Sequence, residues 1–337
     1  MRALFDLCSG FVYSQVLLAC IRLDLFERLA ESPRTAGQLA ESLAVPRASL
    51  DRLLEAAGSL RLVEERAEGT YGLGPLGSAL LGNPAVGMMV EHHHALYADL
   101  ADPVALLRGE LETTELGRFW AYSRHAGASA LESDDTRAYS DLMAASQGMI
   151  ADQVLQAYPI RRHRRLLDIG GGAGAFATAA LERHAGLRAC VFDLPSVAEQ
   201  ARARFEQAGL GERGRAVGGS FLDDDLPSGH DLISLVRVLH DHDDDALRTL
   251  LRAVRRAIPP DGTLLIAEPM LGTRGAEPVT AAYFGFYLMA MGQGRARSPS
   301  VIGRLLRDAG FDRLEMHRTH APLLVRVLTA RPAREGR

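Results

Sequence analysis

Apolar positions near the start of the chain recur at helical spacing: Leu17, Leu18, Ile21, Leu25 and Leu29 share a face. Thr35 followed by Gln38 predicts a capped helix whose apolar side is Leu39 and Leu43. Pro46 opens another, with Leu50, Leu53, Leu54 and Ala57 on one side. Leu60, Leu62 and Val63 then alternate poorly with charge, Gly69 turns the chain, and Tyr71 and Leu73 return. Helices followed by a small hairpin form a winged-helix pattern. Such a module can bind DNA through the helix at 47–58. Here Arg47 and Arg52 share that helix with Asp51 and Glu55, whereas a face that follows phosphates is more uniformly positive. We read the module as one for dimerisation or substrate covering.

Residues 81–160 predict mostly helix. His92, His93 and His94 point in different directions on a helix, so they cannot all bind one metal from it. Phe119, Trp120 and Tyr122 form an aromatic patch that suits either a core or the wall of a flat or apolar ligand. Met143, Gln147, Met149 and Ile150 can line the same space, Met being adaptable in irregular pockets and in cores alike. Pro159 and the basic run 161–165 mark a linker. The sequence thus divides into a helical domain, 1–160, and a second domain, 161–337.

From Leu166 the pattern is α/β. Strands are expected at 166–169, 188–192, 215–217, 230–238 and 263–267, with helices at 176–183, 198–208, 244–257 and 300–309. Segments 313–317 and 323–329 predict an antiparallel pair at a sheet edge. Strands alternating with helices imply a mostly parallel sheet covered on both faces.

Composition narrows the classes. With 337 residues, 47% apolar and 24% charged, the chain is a folded protein with room for two domains. A net charge of −4 does not suggest a nucleic-acid partner. Cys8, Cys20 and Cys190 make no metal cluster or disulfide framework, which fits a reducing, cytoplasmic setting. The start does not read as a signal peptide, since Asp6 interrupts its apolar run. The run Phe11–Ile21 is too short to span a bilayer and is closed by Arg22 and Asp24; peripheral contact with a membrane stays open.

The string Leu166-Leu167-Asp168-Ile169-Gly170-Gly171-Gly172-Ala173-Gly174 places glycines at the first crossover, where open α/β sheets bind ligands. Dinucleotide enzymes have a glycine turn too. Asp168 just before it disfavours a pyrophosphate, but is compatible with the ammonium and carboxypropyl end of S-adenosylmethionine. Asp193 follows at the end of the second strand, about 20 residues on, suited to a ribose diol. It could equally cap the helix before Pro195. In Gly219-Ser220-Phe221, Phe221 can pack on adenine and Ser220 can bond its edge. Asp223, Asp224 and Asp225 read as a solvated turn rather than a magnesium site.

His240 directly follows the strand 230–238, at the edge where chemistry sits. A neutral imidazole there can take the proton of a hydroxyl that attacks a methyl group. Glu268, ending the next strand, can hold its second nitrogen. The competing reading is a helix start capped by Asp241 or Asp243. His240 with His242 makes a poor metal pair, without a nearby cysteine or HExxH spacing.

These motifs resemble class I S-adenosylmethionine-dependent O-methyltransferases of the caffeate and acetylserotonin type. The matching segments are Leu167-Asp168-Ile169-Gly170-Gly171-Gly172, Phe192-Asp193-Leu194-Pro195, Arg237-Val238-Leu239-His240-Asp241 and Ile266-Ala267-Glu268-Pro269. The resemblance implies a Rossmann-like methyltransferase domain behind a mostly helical winged-helix dimerisation domain. It also implies a homodimer whose N-terminal helices help wall the partner's pocket. It makes His240 the base and Glu268 its orienter, gives Asp193 the ribose and gives the glycine loop the methionine end, with Leu194 and Arg237 completing the expected cofactor set. Three positions depart from the family: Ser220 where an acid is common, His242 where Trp is usual, and Ala296 where plant members carry a second glutamate. The base then relies on Glu268 alone or on Asp241. No metal is expected.

A narrower resemblance is to bacterial O-methyltransferases of 1-hydroxy carotenoids. It is carried by Leu4-Phe5-Asp6-Leu7, by Gly10-Phe11-Val12-Tyr13-Ser14-Gln15, and by the segments from His94 to Pro103 and from Tyr283 to Gly292. The chain starts later than that group's members usually do. A polyene needs an apolar tunnel, for which Tyr97, Phe119, Trp120, Met143, Met149, Phe284, Tyr287 and Met291 are candidates; each is equally suited to a core. The alternative acceptor is a compact phenolic or aromatic polyketide. A nicotinamide oxidoreductase is disfavoured by Asp168, and a ligand-sensing transcription factor by the acidic chain.

Overall fold

The computed structural model describes residues 1–118 and 134–334, side chains excepted over 134–145. Packing divides the chain into two compact units, Met1–His94 and Ala95–Arg337.

In the first unit, helix Arg2–Arg22 is followed by Leu25–Glu31 after a break at Asp24, whose φ is 51°. The capping box at Thr35 is complete: Thr35 Oγ1 accepts from the Gln38 amide, and Gln38 Oε1 accepts from the Thr35 amide at 2.8 Å. Helix Arg47–Ser59 buries Leu50, Leu54 and Ala57. Strands β1 (Arg34–Thr35), β2 (Val63–Ala67) and β3 (Thr70–Leu73) form a small antiparallel sheet in the order β1-β3-β2. Leu25, Phe26, Leu39, Leu62 and Val63 join those helical leucines in one core.

The N-terminal helix corrects one expectation. The apolar run at 11–21 is only the second half of a 21-residue helix, which by length and composition alone is long and apolar enough to cross a membrane. Asp6 does not end it, because one charged side chain can stay in solvent while the backbone continues. Leu18 and Cys20 enter the core, whereas Leu4, Phe5, Leu7, Phe11 and Val12 are exposed.

The second unit is built on a seven-stranded sheet in the order β6-β5-β4-β7-β8-β10-β9. Its strands are β4 (Arg165–Ile169), β5 (Arg188–Asp193), β6 (Gly214–Gly218), β7 (Leu232–Val236), β8 (Thr263–Glu268), β9 (Phe311–His317) and β10 (Arg326–Pro332). The first five are parallel, and β10 runs antiparallel between β8 and β9. Strand order reverses between β4 and β7, and the carboxyl ends of strands at such a switch point are where open α/β sheets bind ligands.

Side chains alternate across the sheet: Leu167 and Ile169 enter one core, Leu166 the other. Helix Asp244–Ala257 buries Leu247, Leu250, Leu251 and Val254 at i, i+3, i+4 and i+7. Helix Asp134–Ala157 contributes Ile150, Ala151 and Val154 to the core that holds Phe176 and Ala177 of helix Ala175–Arg183. Residues 95–118 and 134–160 therefore pack with the α/β layers, so the change of sequence pattern near residue 160 lies inside this unit.

Candidate active site

The glycine turn leaves the tip of β4 with Gly170 and Gly172 at φ of 65° and 57°, which glycine adopts without strain. A Cβ on Gly170 would lie 2.8 Å from Val238 Cγ2, and one on Gly171 2.5 Å from Asp168 Oδ2. Gln147 Nε2 stands 3.4 Å from where a Cβ on Gly172 would be, so helix Asp134–Ala157 overlooks the turn.

Asp168 is fully buried beneath it. Its Oδ1 accepts from Ser234 Oγ at 2.6 Å, and its Oδ2 has no partner. Burial pushes the carboxyl up to about 7; the Ser234 bond opposes this and Asp193 adds to it. Ser234 escaped sequence reading, although a serine inside the apolar run Leu232–Val236 is the signal that could have exposed it.

Asp193, at the tip of β5, accepts from the Gly172 amide at 2.8 Å and from the Leu194 amide at 2.7 Å. Its carboxylate thus ties the glycine turn to β5 rather than capping the helix Pro195–Gln207. Burial raises its pKa, and the two amides work against that. Ser220 is more committed than its sequence position implied. Its Oγ donates to Asp223 Oδ2 at 2.9 Å, and its amide to Asp224 Oδ2 at 2.8 Å, closing an exposed acidic turn. Phe221 meets His242 edge to face with ring centroids 5.1 Å apart. Arg237 holds φ of 57° at the end of β7, its amide donating to Ala267 O at 2.8 Å.

These features fit S-adenosylmethionine. A buried carboxylate oxygen without a partner suits an ammonium, glycine lets the turn pack directly on Val238 and Asp168 where a Cβ would clash, and Asp193 retains lone pairs for a diol.

His240 sits on the short 3₁₀ turn Leu239–Asp241 just beyond β7 and is 6% exposed. Its Nδ1 bonds Glu268 Oε2, while Glu268 Oε1 accepts from the Val238 and Leu239 amides at 2.8 and 2.7 Å. One carboxylate, 2% exposed, therefore fixes both the ring and the backbone that carries it. Asp241 Oδ1 lies 3.2 Å from His240 Nε2. Asp243, not Asp241, caps the following helix, accepting from the Asp245 and Ala246 amides. Burial acts to lower the His240 pKa, but Asp241 and then Glu268 outweigh it, and the net shift is upward; Arg237 opposes it. The arrangement can take a proton at Nε2 while Nδ1 stays bonded.

Beside the imidazole, Phe284 stands at 6.4 Å between ring centroids and meets Tyr283 at 5.2 Å. Tyr287 and Met291 are buried in one cluster with Leu96, Leu106 and Leu116. Met149 is half-buried and Tyr97 is exposed. Phe119 and Trp120 lie outside the described residues, as does the Met143 side chain. His92 is buried, its pKa lowered to about 4 by burial and then by His93 and His94. Among the described residues no group of three or more His, Cys, Asp or Glu is placed to hold a metal.

The model of the O-methyltransferase domain matches residues 97–312, and that of the O-methyltransferase dimerisation domain matches residues 5–83. The chain belongs to this O-methyltransferase family: it is an S-adenosylmethionine-dependent methyltransferase whose N-terminal domain mediates homodimerisation. Among its relatives is the demethylspheroidene O-methyltransferase of Cereibacter sphaeroides, 43% identical over 97% of this chain and 86% of the relative. The acetylserotonin O-methyltransferase of Mus musculus is 32% identical over 95% of this chain and 86% of its own length. Among solved structures, the apo form of the S-adenosylmethionine-dependent methyltransferase SibL superposes with a TM-score of 0.83 at 27% identity, covering 98% of this chain and 99% of that one.

Proposed function

We propose that this enzyme moves the methyl group of S-adenosylmethionine to a hydroxyl of an apolar natural product, a 1-hydroxy carotenoid being the favoured acceptor. The observation that carries the chemistry is the bond from His240 Nδ1 to Glu268, made by two side chains on neighbouring strand tips. The bound cofactor supplies a methyl on a sulfonium, which needs no activation. The chain's part is to place the acceptor and remove its proton. As the hydroxyl oxygen attacks, its proton passes to His240 Nε2, and Glu268 holds the resulting imidazolium. Asp241 adds a second negative charge beside Nε2. Asp168 and the glycine turn hold the methionine end, Asp193 the ribose, and Phe221 with His242 the adenine side.

The acceptor class is supported by the 43% identity to the demethylspheroidene enzyme and by Phe284, whose ring stands 6.4 Å from that of the base and which packs in one cluster with Tyr287 and Met291. A compact aromatic acceptor is the second reading, supported by the similarity to the 3-hydroxy-5-methyl-1-naphthoate 3-O-methyltransferase of Streptomyces sahachiroi, 29% identical over 95% of this chain and 92% of that one. Incubation with methyl-labelled cofactor and a panel of hydroxylated carotenoids and phenols, read by mass spectrometry, tests both. Label in a carotenoid methyl ether is expected; label confined to phenols would replace the first reading with the second.

A further inference from the structure

The turn that carries His240 exposes four consecutive carbonyls to one segment of the chain. Leu239 O accepts from Arg297 Nη1 at 2.8 Å, and His240 O from the Arg295 amide at 2.8 Å. Asp241 O accepts from Gln293 Nε2 at 2.9 Å, and His242 O from Arg297 Nη2 at 2.8 Å. A 3₁₀ turn this short cannot satisfy its own carbonyls, so these bonds set where it lies. Gly294 is required inside the segment: its φ is 84°, and a Cβ would fall 2.2 Å from His240 O.

Arg297 is the centre of this clamp. Its side chain is 2% exposed, and its Nε and Nη2 both bond Asp244 Oδ1, at 3.0 and 2.8 Å. Its backbone is registered on the other half of the site. Arg297 forms an isolated parallel bridge with Met270, and its carbonyl accepts from the Leu271 amide at 3.0 Å. Met270 is two residues past Glu268. One residue thus references the His240 backbone to the same strand end that holds the His240 ring.

We infer that Arg297 is a positioning residue for the reaction: with the 293–297 segment it fixes the turn so that the His240 imidazole meets Glu268 on one side and the acceptor hydroxyl on the other. The inference rests on the proposed role of His240. A guanidinium suits this task where an ammonium does not, because its flat fork reaches two carbonyls and a carboxylate at once.

The test is Arg297→Lys in the full-length enzyme, followed by three readouts: kcat with KM for the acceptor, the dissociation constant of the cofactor, and the imidazole NMR signals of His240 against pH. Groups facing that imidazole are Asp241, Glu268 and Arg237, and all remain in the variant. Because a displacement of about 1 Å at the reacting centre costs on the order of 10²-fold, kcat should fall about that much. Cofactor affinity should stay within about threefold, acceptor KM should change little, and the His240 titration should broaden or shift. Guanidinium added to Arg297→Ala should restore part of kcat, entering through the cavity of about 410 Å³ that Arg297 lines with Arg248, Arg295 and Leu305. Should Arg297→Lys fail to fold, Asp244→Asn carries the test: it leaves the carbonyl bonds in place, loosens their anchor, and should cause a smaller fall in kcat with the same NMR shift. Wild-type kcat and an unchanged titration in either folded variant would overturn the inference. A wild-type enzyme that methylates no hydroxyl would overturn the proposed function instead, while the NMR readout still judges the clamp.

Discussion

Glu268 serves His240 twice, through the ring and through the chain. Its Oε2 bonds Nδ1, and its Oε1 takes the amides of Val238 and Leu239, the two residues just before the histidine. Glu268→Gln separates these duties. The glutamine oxygen can still accept the two amides, but its NH₂ then faces Nδ1 and forces the other tautomer. We expect kcat to fall about 10²- to 10⁴-fold with nearly unchanged cofactor affinity, measured by steady-state kinetics and calorimetry.

The raised His240 pKa sets a pH dependence. A base must be neutral to accept a proton, so kcat/KM should rise with pH through a midpoint above 6.5. Asp241→Asn removes the leading upward influence and should move that midpoint down. In stability, a raised histidine pKa gives a contribution that is complete below the unfolded value and lost as pH rises through the folded one. The melting temperature of Asp241→Asn should therefore fall further below that of the parent at pH 6 than at pH 9. Equal differences at both values would remove the electrostatic link.

Asp168 works in the opposite sense. Its carboxyl titrates near 7 in the folded protein against 3.8 unperturbed, so ionising it costs stability progressively as pH rises through that interval. Asp168→Asn should make the apo protein more stable at pH 8 and leave it nearly unchanged at pH 3. The same change should weaken the cofactor about 10- to 100-fold and flatten the pH dependence of its affinity around 7, since a charged hydrogen bond is lost.

Asp193 joins the glycine turn to β5 through the Gly172 amide. Asp193→Ala removes that tie as well as a diol acceptor. Cofactor affinity should drop by about tenfold or more, with acceptor KM little altered. A titration showing parental affinity would deny Asp193 its place at the cofactor.

Much of the architecture could be read from side-chain order. The strands of the sheet are short apolar runs between turns, the Thr35–Gln38 box is a local signal, and strand tips at Asp168, Asp193, His240 and Glu268 follow once the sheet is parallel. What escaped reading depends on contacts distant in sequence. Arg297 grips carbonyls 55 and 58 positions away, and Ser234 meets Asp168 across 66. Ser220 has a hydroxyl free to bond a base edge in the sequence, but the fold turns it onto Asp223. Ala296, the position where the family resemblance points to a second glutamate, is buried in the cluster with Tyr287 and Met291, a setting that favours a methyl group over a charge. The length of the first helix was hidden by Asp6, whose charge stays on the outside.

The most direct test replaces the imidazole itself. With methyl-labelled cofactor and the best acceptor from the panel, His240→Ala should transfer label about 10²- to 10⁴-fold more slowly than the parent while binding the cofactor with similar affinity. Label appearing in the product at the parental rate would contradict His240 as the base.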